Sequence, residues 1–71
     1  MTNKDLKEAI ISCRKFMQEK AEYLDRYAEH CMAENNVSGY RVNKSMYQYC
    51  MGKIEAYNTI LGMMESGYYD E

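Results

Sequence analysis

Seventy-one residues make one domain at most, and a net charge of −2 (9 Lys and Arg against 11 Asp and Glu) gives no electrostatic basis for non-specific nucleic-acid binding or for attraction to anionic membranes. Pro is absent, Gly is 4, and Lys, Glu, Ala, Met and Tyr dominate, a composition that suits unbroken helices. So short a chain buries only ~60% of its unfolded surface, so a disulfide framework, a metal or a partner subunit is expected to support it.

The N-terminal segment MTNKDLKE lacks an apolar signal region and no stretch reaches ~18 consecutive apolar residues, so a soluble, cytoplasmic protein is expected. Thr2 and Asp5 match a capping box, with Met1 and Leu6 as a hydrophobic staple. From there Leu6, Ile10, Cys13, Met17, Leu24, Tyr27 and Cys31 form the predicted main stripe of a first helix. Ala9, Phe16 and Tyr23 widen it on one flank, and Ala21 and Ala28 on the other. Lys20 interrupts the stripe as a snorkelling stem. An arc this broad suggests contact with more than one helix. Oppositely charged pairs four apart, such as Lys15 with Glu19 and Glu22 with Arg26, mark the solvated face. The first helix is predicted over about 3–35, ~50 Å long.

Asn35, Asn36, Ser38 and Gly39 concentrate the turn chemistry, which predicts a reversal over 36–42 with Gly39 in the left-handed position, a role that either Asn can share. Asn43 then reads as the N-cap of a second helix over about 43–66, ending at Gly67 and ~35 Å long. Its main seam is Tyr47, Cys50, Ile54, Tyr57, Leu61, Met64 and Tyr68. Beside that seam runs a second apolar stripe through Met46, Tyr49, Lys53, Ala56, Ile60 and Met63. The expected fold is all-α: an antiparallel two-helix hairpin that self-associates into a helical bundle. The predicted self-association interface is Met46, Tyr49, Gly52, Ala56, Ile60 and Met63. Gly52 would let two backbones approach, or it is a tolerated surface glycine. With helices of unequal length, Leu6 and Ile10 would overhang and need cover from Tyr68 and Tyr69 or from a second subunit.

Chemistry is sparse. There is no nucleophile elbow, Gly-rich phosphate loop or paired set of metal ligands, so neither an enzyme nor a bound cofactor is expected. Cys13, Cys31 and Cys50 lack the close spacing of a zinc site and read as reduced core thiols, and His30, the one histidine, reads as structural. Eight Tyr in so short a chain favour a binding surface. The run GYRVNKS gathers Tyr40, Arg41, Asn43 and Lys44 at the predicted helix start, a candidate site for an anion or an acidic partner, or else a turn with a solvated rim.

The run YCMGKIEAYNTIL, through Tyr49, Gly52, Lys53, Ile54, Ala56, Tyr57 and Leu61, resembles a pattern in small helical accessory proteins of tailed bacteriophages, including those that blunt host defences. The resemblance implies a binding protein in the bacterial host cytoplasm with no catalytic residues. The expected partners are a second copy of the chain and a host protein, with a nucleotide-like signalling ligand held at a subunit interface, or a role as a structural assembly component, as the alternatives.

Overall fold

The structure, a computed structural model, describes residues 2–67. Two α-helices, α1 (Asn3–Ala33) and α2 (Val37–Glu65), pack antiparallel as a hairpin. The all-α hairpin expected from the apolar spacing is the observed fold. Met1, Tyr68 and Tyr69, to which the sequence reading gave staple, seam and covering roles, lie outside the described residues.

α1 begins as expected. Thr2 Oγ1 accepts the Asp5 N–H at 3.1 Å while the Asp5 carboxylate accepts the Thr2 N–H at 3.5 Å, a reciprocal capping box. Its C-terminus closes two residues earlier than predicted, through a Schellman motif. The Asn36 N–H donates to Cys31 O at 2.7 Å and the Asn35 N–H to Met32 O at 3.1 Å, with Asn35 at φ 61°. Asn35, one of the two asparagines able to share that role, therefore takes the left-handed position in place of Gly39.

The start of α2 is the larger correction. Asn36, the residue that completes the α1 cap, is also the N-cap of α2, its Oδ1 accepting the Gly39 N–H at 3.0 Å. The turn collapses from the predicted 36–42 to the residues between Ala33 and Val37. Asn43 is no cap: it lies in the second turn of α2 and its Nδ2 donates to Gly39 O at 2.7 Å. Nothing in VSGYRVN bars a helix once Asn36 caps it, since Gly39 is the one poor helix former inside its first turn. α2 gains a full turn and a half at its N-terminus.

The two helices consequently match in length, at 31 and 29 residues, and the rod measures 53 × 15 × 13 Å. α2 reaches the far end of α1, where Lys7 Nζ lies 3.8 Å from Glu65 Oε1. The predicted overhang of Leu6 and Ile10 disappears: Ile10 is half-buried beneath α2, and Leu6 is exposed for a different reason, given below.

Gly39 is required by space. A Cβ there would stand 2.5 Å from Asn36 Nδ2 and 2.9 Å from Cys31 Sγ, where the start of α2 crosses the end of α1. Gly62, also inside α2, has nothing within 4 Å of such a Cβ. Opposite outcomes are expected. Gly62→Ala relieves the helix-interior glycine penalty of about 1 kcal/mol and raises the melting temperature by ~4–8 °C, while Gly39→Ala lowers it despite alanine's better helix propensity. Thermal unfolding followed by circular dichroism checks both, and a rise for Gly39→Ala would place the start of α2 after residue 39.

Candidate functional site

The seam between the helices has a heptad spacing. On α2 it runs through Tyr40, Asn43, Tyr47, Cys50, Ile54, Tyr57, Leu61 and Met64, all buried or half-buried. On α1 it runs through Lys7, Ile10, Arg14, Met17, Ala21, Leu24, Ala28 and Cys31. From Tyr47 to Met64 the α2 seam is the predicted one, and Tyr40 and Asn43 extend it towards the turn. On α1 the predicted stripe residues Ile10, Met17, Leu24 and Cys31 lie in the seam, and at the other three positions the facing residue is the next one along. Leu6, Cys13 and Tyr27 are exposed, and Lys7, Arg14 and Ala28 take the facing positions.

The reason is side-chain size. Tyr47 packs over the cluster of Ala21, Leu24, Cys50 and Ile54, and the bulky residues of α2 leave room on α1 only for Ala21 and Ala28, exposed by 4% and 0%. A tyrosine at position 27 facing α2 would force the axes apart. Lys7 and Arg14 tolerate half-burial because long stems cover apolar surface while their ends reach polar partners, as Arg14 Nη1 does at Asn58 Oδ1, 2.8 Å away.

The hairpin has two unlike sides. On one side lie three inter-helix polar contacts, Arg14 with Asn58, Lys7 with Glu65, and Lys44 Nζ with Asp25 Oδ1 at 3.5 Å, while Asn43 Nδ2 meets Cys31 Sγ at 4.0 Å within the seam itself. A groove on this side is lined by Gln18, Glu22, Asp25 and Met51 above the seam residues Ala21, Tyr47 and Ile54. Ile11, Met32, Val37 and Met51 are also exposed along this polar edge, but the other side is the more apolar. Leu6, Ala9, Cys13, Phe16, Tyr23 and Tyr27 from α1 stand beside Val42, Met46, Tyr49, Ala56, Ile60 and Met63 from α2. Lys20 of α1 lines one shallow groove with Met46 and Tyr49 of α2, so the two stripes join across the seam.

The predicted interface residues fall on this apolar side. Tyr49 is 63% exposed, Met46 43% and Met63 37%; Ala56 is exposed, Ile60 half-buried, and Gly52 opens to solvent on the outer edge of the stripe. Sequence reading missed that α1 supplies the other half. Phe16 and Tyr23, each 58% exposed, are its largest members, and Tyr23 stacks on Tyr27 with ring centroids 6.0 Å apart. The sequence signal was the breadth of the apolar arc on α1, which held two adjacent stripes. Lys20 and Lys53 are the charged side chains within the face, and Lys53 Nζ lies 5.4 Å from the Tyr49 ring centroid.

The predicted anion site is not assembled as expected. Tyr40 and Asn43 turn into the seam, Lys44 is paired with Asp25 and stands 4.9 Å from the Tyr47 ring centroid, and Arg41 is exposed. The helix N-terminus that was to supply open N–H groups lies at Val37, and the Gly39 N–H there is occupied by Asn36. Among the described residues no group of three or more His, Cys, Asp or Glu is placed to hold a metal ion, and no helix is long and apolar enough to cross a membrane. In comparisons with known proteins, no family model, no curated protein and no solved structure matches this chain.

The three thiols sit in unlike places: Cys31 and Cys50 are buried in the seam and Cys13 is exposed on the apolar face. An aromatic disulfide reagent added to dilute native protein is expected to modify Cys13 within minutes and to reach Cys31 and Cys50 only on unfolding. Prompt reaction of all three would show that the seam does not hold the two inner thiols.

Proposed function

We infer that this is a non-enzymatic binding protein that works as a self-associated hairpin, with a second copy of the chain covering the apolar face and completing a four-helix bundle. One observation carries the reading: eight of the twelve large apolar side chains exposed among the described residues lie on a single side, where the stripes of both helices merge, and the polar bridges between the helices lie on the other.

Area supports such a partner. The chain exposes 5360 Å², whereas a compact monomer of 8.4 kDa exposes ~4,600 Å². The surplus follows from the rod shape, 53 × 15 × 13 Å, which leaves one long side of both helices free for a partner to cover. Energetics point the same way. The buried core is Ala21, Leu24, Ala28, Cys31, Cys50, Ile54 and Leu61, in which two alanines and two cysteines leave three large aliphatic side chains. A two-helix unit with so small a core gains stability from further burial.

The residues that resemble the phage accessory pattern, Tyr49 to Leu61, run through the middle of α2, and Tyr49, Lys53 and Ala56 among them stand on the apolar face. On that resemblance, the assembled bundle would present its polar sides to a protein of a bacterial host.

Sedimentation of the wild-type chain at micromolar concentration is expected to give a dimer. Val42→Glu changes a side chain that is 58% exposed in the single hairpin, so helicity is retained while a charge is placed where the second copy would bury it. The variant should sediment as a monomer, with affinity reduced by at least ~100-fold for a desolvated unpaired charge. Ile60→Glu should act in the same direction. A wild-type chain that stays monomeric at high micromolar concentration would overturn the proposal.

A further inference from the structure

The apolar face reads nearly as its own complement when reversed end for end. The midpoint of α1 (Asn3–Ala33) is Gln18 and that of α2 (Val37–Glu65) is Met51, and their numbers sum to 69 like those of the paired Asp25 and Lys44, which sets them at one height to within a turn of helix. A twofold axis crossing the helices at that height exchanges residue 18 + n with 18 − n on α1 and 51 + n with 51 − n on α2. On α1 this sets Tyr23 of one copy over Cys13 of the other and Tyr27 over Ala9, a large side chain against a small one each time. On α2 it sets Met46 over Ala56 in the same way.

The two lysines follow the same rule. Lys20 lands opposite Phe16 and Lys53 opposite Tyr49, so each ammonium meets an aromatic ring and no lysine meets a lysine. Lys53 already leans over the Tyr49 ring of its own chain, at 5.4 Å. Gly52 lies next to the axis, and open space surrounds the position its Cβ would take.

The other way to stack two such faces, with the axis along the rod, fits badly. Residues at equal height would then meet across the interface, α1 against α2. The Asp25–Lys44 contact sets equal heights where residue numbers sum to 69, and the Arg14–Asn58 and Lys7–Glu65 contacts where they sum to 72. Within that range Tyr23 would meet Met46 or Tyr49, large against large, forcing the copies apart, while Cys13 would meet nothing larger than Ala56 or Thr59.

We propose that the second copy seats with its twofold axis perpendicular to the helices at the height of Gln18 and Met51, so that α1 packs antiparallel on α1, α2 on α2, the turns lie at opposite ends, and Lys20 and Lys53 each cap an aromatic ring of the partner. This arrangement rests on the self-association inferred above and specifies its register.

Engineered disulfides test the register separately from association. Cys13 is the exposed native thiol, so Tyr23→Cys should give a covalent dimer on mild oxidation, seen on a non-reducing gel, because the axis brings residue 23 of each chain over Cys13 of the other. Wild type should give none through Cys13 alone: the two copies of residue 13 lie on opposite sides of the axis, about 15 Å apart along the rod at 1.5 Å per residue. Ala56→Cys probes the alternative axis and should yield no covalent dimer. Sedimentation and circular dichroism of each reduced variant confirm that it is helical and dimeric before oxidation. If Tyr23→Cys disrupts the dimer, the pair Phe16→Cys with Lys20→Cys replaces it. A dimer that crosslinks through Ala56→Cys and not through residue 23 or the 16–20 pair overturns the register and leaves self-association standing; a wild-type monomer overturns both.

Discussion

Each helix of a hairpin has one neighbour, and the width of what that neighbour can cover governs this molecule. Two antiparallel helices in close contact bury a strip of heptad a and d positions and little more. Here the strip is made narrow by pairing small residues of α1, Ala21 and Ala28, against a helix rich in tyrosine. Close approach through those alanines turns Tyr23, Tyr27 and Phe16 outward. A wider separation would bury the tyrosines and lose the contacts of Leu24, Cys50 and Ile54. The exposed aromatic face is therefore a consequence of how the seam is closed.

The same constraint explains the division of charge. α2 carries Arg41, Lys44, Lys53, Glu55 and Glu65 as its charged residues, and all but Lys53 lie off the apolar face. On α1 the carboxylates Glu22 and Asp25 line the polar groove, opposite the side that holds Phe16 and Tyr23. The bridges from Lys44 to Asp25 and from Lys7 to Glu65 are partly solvated and contribute at most ~1 kcal/mol each. Their value is directional. They favour the register in which the polar edges of the two helices meet, which leaves the apolar edges together on the opposite side.

How much of this was legible in the sequence differs by element. The α2 seam was, because Tyr47, Cys50, Ile54, Tyr57 and Leu61 keep a strict three-four alternation and the structure buries or half-buries all of them. The N-terminal cap was also legible, since Thr2 and Asp5 interact locally and nothing distant competes. The turn was misplaced because Asn36 serves two helices at once, closing α1 with its N–H and opening α2 with its side chain. Sequence spacing cannot reveal such sharing, and GYRVN read as loop when it is helix. The α1 seam was misread for another reason. Two apolar stripes one residue apart have the same periodicity, and volume against the facing helix, a tertiary property, decides between them. The predicted interface on α2 needed no such information; its continuation onto α1 did.

Positions of one helix that are adjacent on its wheel can serve as two seams, and α1 and α2 both use this arrangement. In each helix the second stripe lies on the same flank of the first, counted from the chain's own direction: Phe16 stands one residue before Met17, and Lys53 one before Ile54. Because the helices run antiparallel, equal offsets bring both second stripes to one side of the rod. Opposite offsets would have put one stripe on each side, giving two narrow faces that a single further hairpin could not cover together. The equal sense of the offset turns two leftover stripes into one continuous surface about two helices wide, the width that another hairpin of this kind presents. Its two lysines, Lys20 and Lys53, sit symmetrically about the rod's midpoint, each a single turn from an aromatic residue, and Lys53 already stands 5.4 Å from the ring of Tyr49.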